Sequence, residues 1–194
     1  MNLFDRIDQA RKRYNVLEHP FYVRWSEGEL SREDLALYAS QYRHAVVALA
    51  DASEGSDHAA EERAHVELWE RFASECGSGA TEPFEETAEC IASWTHAGDR
   101  LERLVTLYSI ESTQPAISKT KLEGLLTHYG FEPGAGTEYF EVHSERDHEH
   151  AAESRALLEA EAGDADSERL AARAEAALAA NWRLLDGVEE RLPA

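Results

Sequence analysis

Apolar residues recur every three to four positions along almost the whole chain, and almost nowhere do they alternate. Leu3, Ile7, Ala10, Tyr14 and Leu17 predict a first helix over 3–18. His19-Pro20 should end it, because the residue before proline avoids the helical region. Phe21, Tyr22 and Trp25 then form a short apolar segment before the turn Glu27-Gly28-Glu29-Leu30. Ser31, with Asp34 three residues on, reads as a capped helix start. The helix behind it runs to about Ala52 with Leu35, Tyr38, Tyr42, Val46 and Leu49 inward. Further helices are expected over 57–75, 83–97, 99–129, 137–161 and 166–191, each closed by a glycine- or proline-containing turn. The fifth of the long helices contains Pro115 and should kink there. No segment reads as a strand, and no linker or repeat divides the chain. The expectation is one all-α domain over 1–194, a seven-helix bundle.

Charge narrows the function. The chain has 39 Asp and Glu against 19 Lys and Arg, a net charge of −20. Phosphate contacts need a basic face, so nucleic-acid binding is disfavoured. Lysine occurs only as Lys12, Lys119 and Lys121. An acidic, lysine-poor surface suggests adaptation to high salt, where screening relieves self-repulsion. Two cysteines, Cys76 and Cys90, with no Cys-x-x-Cys, fit a reducing compartment. No apolar run approaches the roughly 18 residues of a membrane span, and the polar amphipathic start does not resemble a signal peptide. A cytoplasmic protein with no membrane partner is expected.

The candidate chemistry lies in three helices. His143, Asp147 and His150 are spaced i, i+4, i+7, within roughly 60° of one another on a helix face. Two imidazoles and a carboxylate on one face make half of a transition-metal site, better suited to iron or manganese than to closed zinc. Glu62 and His65 have the Glu-x-x-His spacing of carboxylate-bridged di-metal bundles. Glu61 and His58 share roughly that face and remain alternatives to Glu62. Glu111 stands in an apolar run, where a carboxylate needs a partner; coordination or a pair with Lys119 or Arg103 would provide one. Glu62, His65, Glu111, His143, Asp147 and His150 together suit two iron ions, or iron and manganese, with positions open to dioxygen as co-substrate.

With those residues in view, the chain resembles the haem-oxygenase-like metal-dependent oxidases. Within them it looks closest to the family of the chlamydial death-domain-associating protein, a self-sacrificing 4-aminobenzoate synthase. Pyrroloquinoline-quinone synthase C and TenA are more distant likenesses. The resemblance rests on His19-Pro20-Phe21, Gly28-Glu29-Leu30, Tyr38 to His44, His65 to Trp69, Glu111 to Gly124 and Tyr139 to His150. It implies a seven-helix haem-oxygenase-like fold. It also implies metal ligation by Glu111, His143, Asp147 and His150, and by His65 with a nearby Glu. Seven residues before His65, where the family carries that Glu, stands His58, so Glu62 or Glu61 must substitute.

The resemblance further implies a sacrificial lysine ten residues after the helix Glu, here Lys121, as amino donor. The aromatic ring would come from one of the chain's own tyrosines. Tyr22, Tyr42 and Tyr108 are the candidates, and Ile110 stands where some relatives have a tyrosine. The substrate would be a small-molecule amine or acid, or be self-derived from the chain's own tyrosine and Lys121, and relatives of this kind suggest a homodimer. Neither cysteine matches the nucleophile of TenA-type thiaminases. No His precedes His19, so haem is not expected. The competing readings are a metal-free cofactor-metabolism enzyme on the same fold and a non-catalytic regulatory or interaction bundle.

Overall fold

The computed structural model describes residues 2–53, 59–163 and 166–192, with the side chains of 146–149 outside the description. Among the described residues there are nine α-helices and no strand. They are α1 Leu3–Arg13, α2 Pro20–Glu27, α3 Arg32–Ala52, α4 Ala59–Cys76, α5 Glu85–Trp94, α6 Arg100–Glu111, α7 Gln114–His128, α8 Glu138–Glu161 and α9 Ser167–Glu189. The all-α class is as expected, but the count of seven is corrected, and proline accounts for both additions.

Pro20 does not merely end the first helix. It occupies the first position of α2, where its missing N–H costs nothing, and the His19 side chain caps that helix by accepting from the Phe21 N–H. The supposed apolar segment is therefore a helix whose Phe21, Tyr22 and Trp25 are buried. Pro115 likewise does more than kink a helix. It cannot donate to the Glu111 carbonyl, so the helix stops at Glu111, turns through Ser112 and Thr113, and restarts with the proline in its first turn. Glu111 thus becomes the last residue of α6 rather than a mid-helix residue.

The Ser31–Asp34 capping box forms as expected, and Asn2–Asp5 and Asp99–Glu102 make two more. Helix α3 packs on α4, α7 on α8, and α9 runs beside α1, α5 and α6. The main core is aromatic: Phe21, Tyr22, Trp25, Tyr38, Tyr42, Trp69, Phe72 and Phe140 all lie in it. A smaller core, built on Leu3, Ile7, Val105, Tyr108, Leu158 and Leu170, fills the space between α1, α6, α8 and α9. Gly124 matters to the first. A Cβ there would meet Trp25 Nε1 at 2.5 Å. Its absence lets the Trp25 indole lie against α7 and donate to the Lys121 carbonyl at 3.1 Å.

Candidate metal centre and lysine chamber

Three helices bring carboxylates and imidazoles together. From α4 come Glu62 and His65, one turn apart, both buried. Glu62 Oε2 lies 3.5 Å from His65 Nδ1. That approach is too long for a good hydrogen bond, and His65 Nδ1 has no hydrogen-bond partner among the described residues. Helix α8 adds His143, whose ring centroid is 4.3 Å from that of His65. One turn of α4 earlier, Glu61 Oε2 stands 3.6 Å from His150 Nε2. Glu111, at the end of α6, accepts from Ser154 Oγ at 3.4 Å. Glu62, Glu111 and His150 each offer one ligand atom, all within 4.8 Å of one another.

Burial would push the Glu62 carboxyl up, but neighbouring His65, and then the fields of His65, His143 and His150, hold it below the usual range. A carboxylate held low among imidazoles, with a buried ring nitrogen that has no hydrogen-bond partner among the described residues, is a donor set that fits a divalent iron or manganese ion. Two of the six expected ligands come from one turn of α4, one from the end of α6, and two from α8. Asp147 is the sixth; its side chain lies outside the described residues, as does all of His58. Glu61 reaches His150 while Glu62 reaches His65, so the two alternatives beside His65 occupy different places in one cluster. Among the described residues no ion pair joins Glu111 to Lys119 or Arg103; Glu62, His150 and Ser154 are among its neighbours.

A second buried polar group lies beyond the cluster. Lys121 is 0% exposed, and its Nζ has no hydrogen-bond partner among the described residues. It is surrounded by rings: Tyr42 at 4.6 Å, Tyr38 at 5.2 Å, Tyr22 at 5.3 Å, Phe140 at 5.5 Å and Trp69 at 5.7 Å from Nζ to centroid. Five π faces would attract an ammonium, but no carboxylate is among these contacts, and burial holds the amine well below the usual lysine range. Burial first, then neighbouring phenols, push Tyr22 and Tyr38 well above the usual range. Tyr22 and Tyr38 hydroxyls are 2.8 Å apart, and Gln114 Nε2 donates to the Tyr42 hydroxyl at 3.2 Å.

Cluster and chamber share a wall. Trp69 faces Lys121 on one side and packs on Tyr139 at 4.8 Å on the other; Tyr139 packs on His143 at 4.2 Å. Of the three tyrosine candidates, the structure brings Tyr22 and Tyr42 to Lys121. Tyr108 sits in the smaller core against Phe4 and beneath Arg11. Tyr38, Trp69 and Phe140 were not singled out as chamber residues. They come from α3, α4 and α8, and no local spacing in the chain marks them. Burial raises both thiols, Cys76 to about 12 and Cys90 higher, so neither is a ready nucleophile.

The architecture defines the class: an all-helical bundle of the haem-oxygenase-like fold with a buried carboxylate–imidazole cluster. A domain from Shewanella denitrificans with a haem-oxygenase-like fold superposes with a TM-score of 0.75 at 21% identity, covering 98% of this chain and 93% of that one. A TenA homologue from P. horikoshii gives 0.70 at 18% identity, over 95% and 96%. Residues 43–182 match the family of iron-containing redox enzymes, and the chain belongs to that family. It is 33% identical to a 4-aminobenzoate synthase of Chlamydia muridarum, covering 82% of this chain and 78% of the relative. A 4-aminobenzoate synthase of Nitrosomonas europaea is 29% identical over 96% and 89%.

Proposed function

We propose that this protein is a non-haem oxygenase holding two iron ions, or iron and manganese, and that it forms 4-aminobenzoate from one of its own tyrosines and Lys121. The observation that carries this reading is the Lys121 amine, fully buried without a hydrogen-bond partner among the described residues and sealed among phenols one aromatic wall from the Glu–His cluster. A lysine so placed adds nothing to solubility and is costly to bury. A chemical use for its nitrogen accounts for it. The relatives named 4-aminobenzoate synthase support the same reaction.

Glu62, His65, Glu111, His143, Asp147 and His150 would hold the metals, with Glu61 positioned to orient His150. The metals, with dioxygen as co-substrate, would supply the oxidising chemistry. The protein's own residues do the rest. Burial disfavours the ammonium form of Lys121 and so favours the free lone pair that an amino donor requires. The rings of Tyr22, Tyr38, Tyr42, Trp69 and Phe140 exclude water from that nitrogen. Gln114 orients the Tyr42 phenol, and Tyr38 orients that of Tyr22. Tyr22 and Tyr42 are the two phenols from which the aromatic ring would come.

The test is metal content and single-turnover product on protein purified without oxygen and reconstituted with iron and manganese. About two metals per chain are expected, lost in His143→Ala. Oxygen should then yield 4-aminobenzoate, with a mass change at Lys121 and at Tyr22 or Tyr42. A wild-type protein that holds no stable metal would sink the oxygenase reading. Product formed with Lys121 intact would sink the donor assignment.

A further inference from the structure

The hydroxyls on the helices that carry Glu111 and His150 divide by where they point. On α6 and the turn after it, Ser109 donates to the Val105 carbonyl at 2.6 Å, Ser112 to the Tyr108 carbonyl, and Thr113 to the Ile110 carbonyl at 2.8 Å. On α8, Ser144 donates to the Glu141 carbonyl at 2.8 Å. Each folds back on its own helix, the common habit of a serine or threonine in such a place. Ser154 does not. Its hydroxyl is directed to Glu111 Oε2 on another helix, 3.4 Å away.

Glu111 is the member of the cluster that needs such a partner. It is the last residue of α6, and the chain turns directly after it because Pro115 cannot donate to its carbonyl. It is only half-buried, whereas Glu62 is buried inside α4 with His65 one turn on. The ligand atoms of Glu62, Glu111 and His150 lie within 4.8 Å of one another. Two carboxylates that close repel unless a cation joins them, and the one at the helix end has more freedom to turn outward. Ser154 stands one turn beyond His150 on the same face of α8. That helix therefore supplies a ligand and, four residues on, a donor to the carboxylate beside it. At 3.4 Å the contact is long for O–H···O, so the hydroxyl steers the carboxylate rather than clamping it.

We propose that Ser154 is a positioning residue for the metal centre. Its hydroxyl keeps the Glu111 carboxylate turned toward Glu62 and His150, and so sets the affinity for one of the two ions. The inference rests on the reading of Glu111 as a metal ligand and adds to it a residue outside the ligand set.

Equilibrium dialysis of the metal-free full-length protein against manganese(II), kept without oxygen, tests this without turnover. The wild type should bind two ions. Ser154→Ala should weaken one of them about tenfold, as loss of an outer partner of a ligand predicts, and leave the other unchanged. Ser154→Thr keeps the hydroxyl and should restore the affinity. The metal-free melting temperature of Ser154→Ala should hold or rise, since alanine is the better helix former and the position is half-buried. Unchanged affinity in Ser154→Ala, no rescue by Ser154→Thr, or equal loss of both ions together with a lowered melting temperature would overturn the assignment. The two readings fail in different ways. A wild type that binds no metal removes the oxygenase reading and this role with it; a wild type and Ser154→Ala that bind two ions equally well remove only the role of Ser154.

Discussion

Where α4 meets α8, Glu62, His65 and His143 are buried facing one another, whereas across Tyr139 and Trp69 the Lys121 amine is buried facing only rings. Both regions take polar groups out of water. In the first, the neighbouring imidazoles hold the Glu62 carboxyl below its usual range; in the second, no carboxylate faces the amine and burial holds it well below the usual lysine range. The first arrangement suits a cation that would join the cluster. The second suits a nitrogen kept reactive. The difference shows that burial alone does not define a functional site; what faces the buried group does.

The sharpest way to break this comparison is to remove one region at a time. His143→Ala should lose metal and all oxygen-dependent product, at least a hundredfold, because a ligand is gone. Lys121→Met should lose product as completely yet keep full metal content. Metal analysis beside product assay separates them. If Lys121→Met also lost its metal, the cluster and the chamber would be one site rather than two.

Stability should then move in opposite directions. Lys121→Met replaces an uncompensated buried amine with an apolar chain of similar length and should stabilise by about 3 kcal/mol. For a domain of this size that is roughly 6–12 °C in melting temperature. Glu62→Gln, in metal-free protein, removes the charge that faces His65 and should destabilise by about 1 kcal/mol. Thermal melts of the two variants decide it, and shifts of the same sign would erase the distinction.

Much of this was legible in the chain, and what was not has identifiable causes. Helical spacing placed the long helices, and the Ser31–Asp34 cap was read from local chemistry. Glu62-x-x-His65, Glu111 and His143 to His150 each announced themselves by spacing or by an unexpected carboxylate, and the structure brings Glu62, Glu111 and His150 together. Proline was misjudged twice, since the same missing N–H that stops one helix is harmless in the first turn of the next. The chamber could not be read. Its rings come from α2, α3, α4 and α8, and only tertiary packing gathers them around Lys121. Lys121 itself entered through family resemblance, because nothing local marks a lysine as buried.

Gly124 belongs to that unreadable part and offers a smaller test. Its missing Cβ admits the Trp25 indole, which donates to the Lys121 carbonyl. Gly124→Ala would gain helix propensity but force the indole away, a net loss of about 2 kcal/mol. Chemical denaturation measures it. A neutral or stabilising result would mean that Trp25 yields easily and that the wall beside Lys121 is soft, unlike the cluster.

The last test is a slope. Burial lowers the Lys121 amine well below its usual range, while in the unfolded chain it titrates near about 10.4. Between those values the unfolded state binds a proton that the folded state does not. Stability from this group is therefore lowest at low pH and rises as pH increases toward the unfolded value, by at most about 1.4 kcal/mol per pH unit. Lys121→Met has no such proton. Its advantage over the wild type should shrink steadily from neutral to alkaline pH, at a rate approaching that limit, in paired denaturation curves across the range. A constant advantage would mean that the folded amine keeps its proton, held by the five rings as an ammonium, and the chamber would then resemble the cluster in compensating the charge it buries.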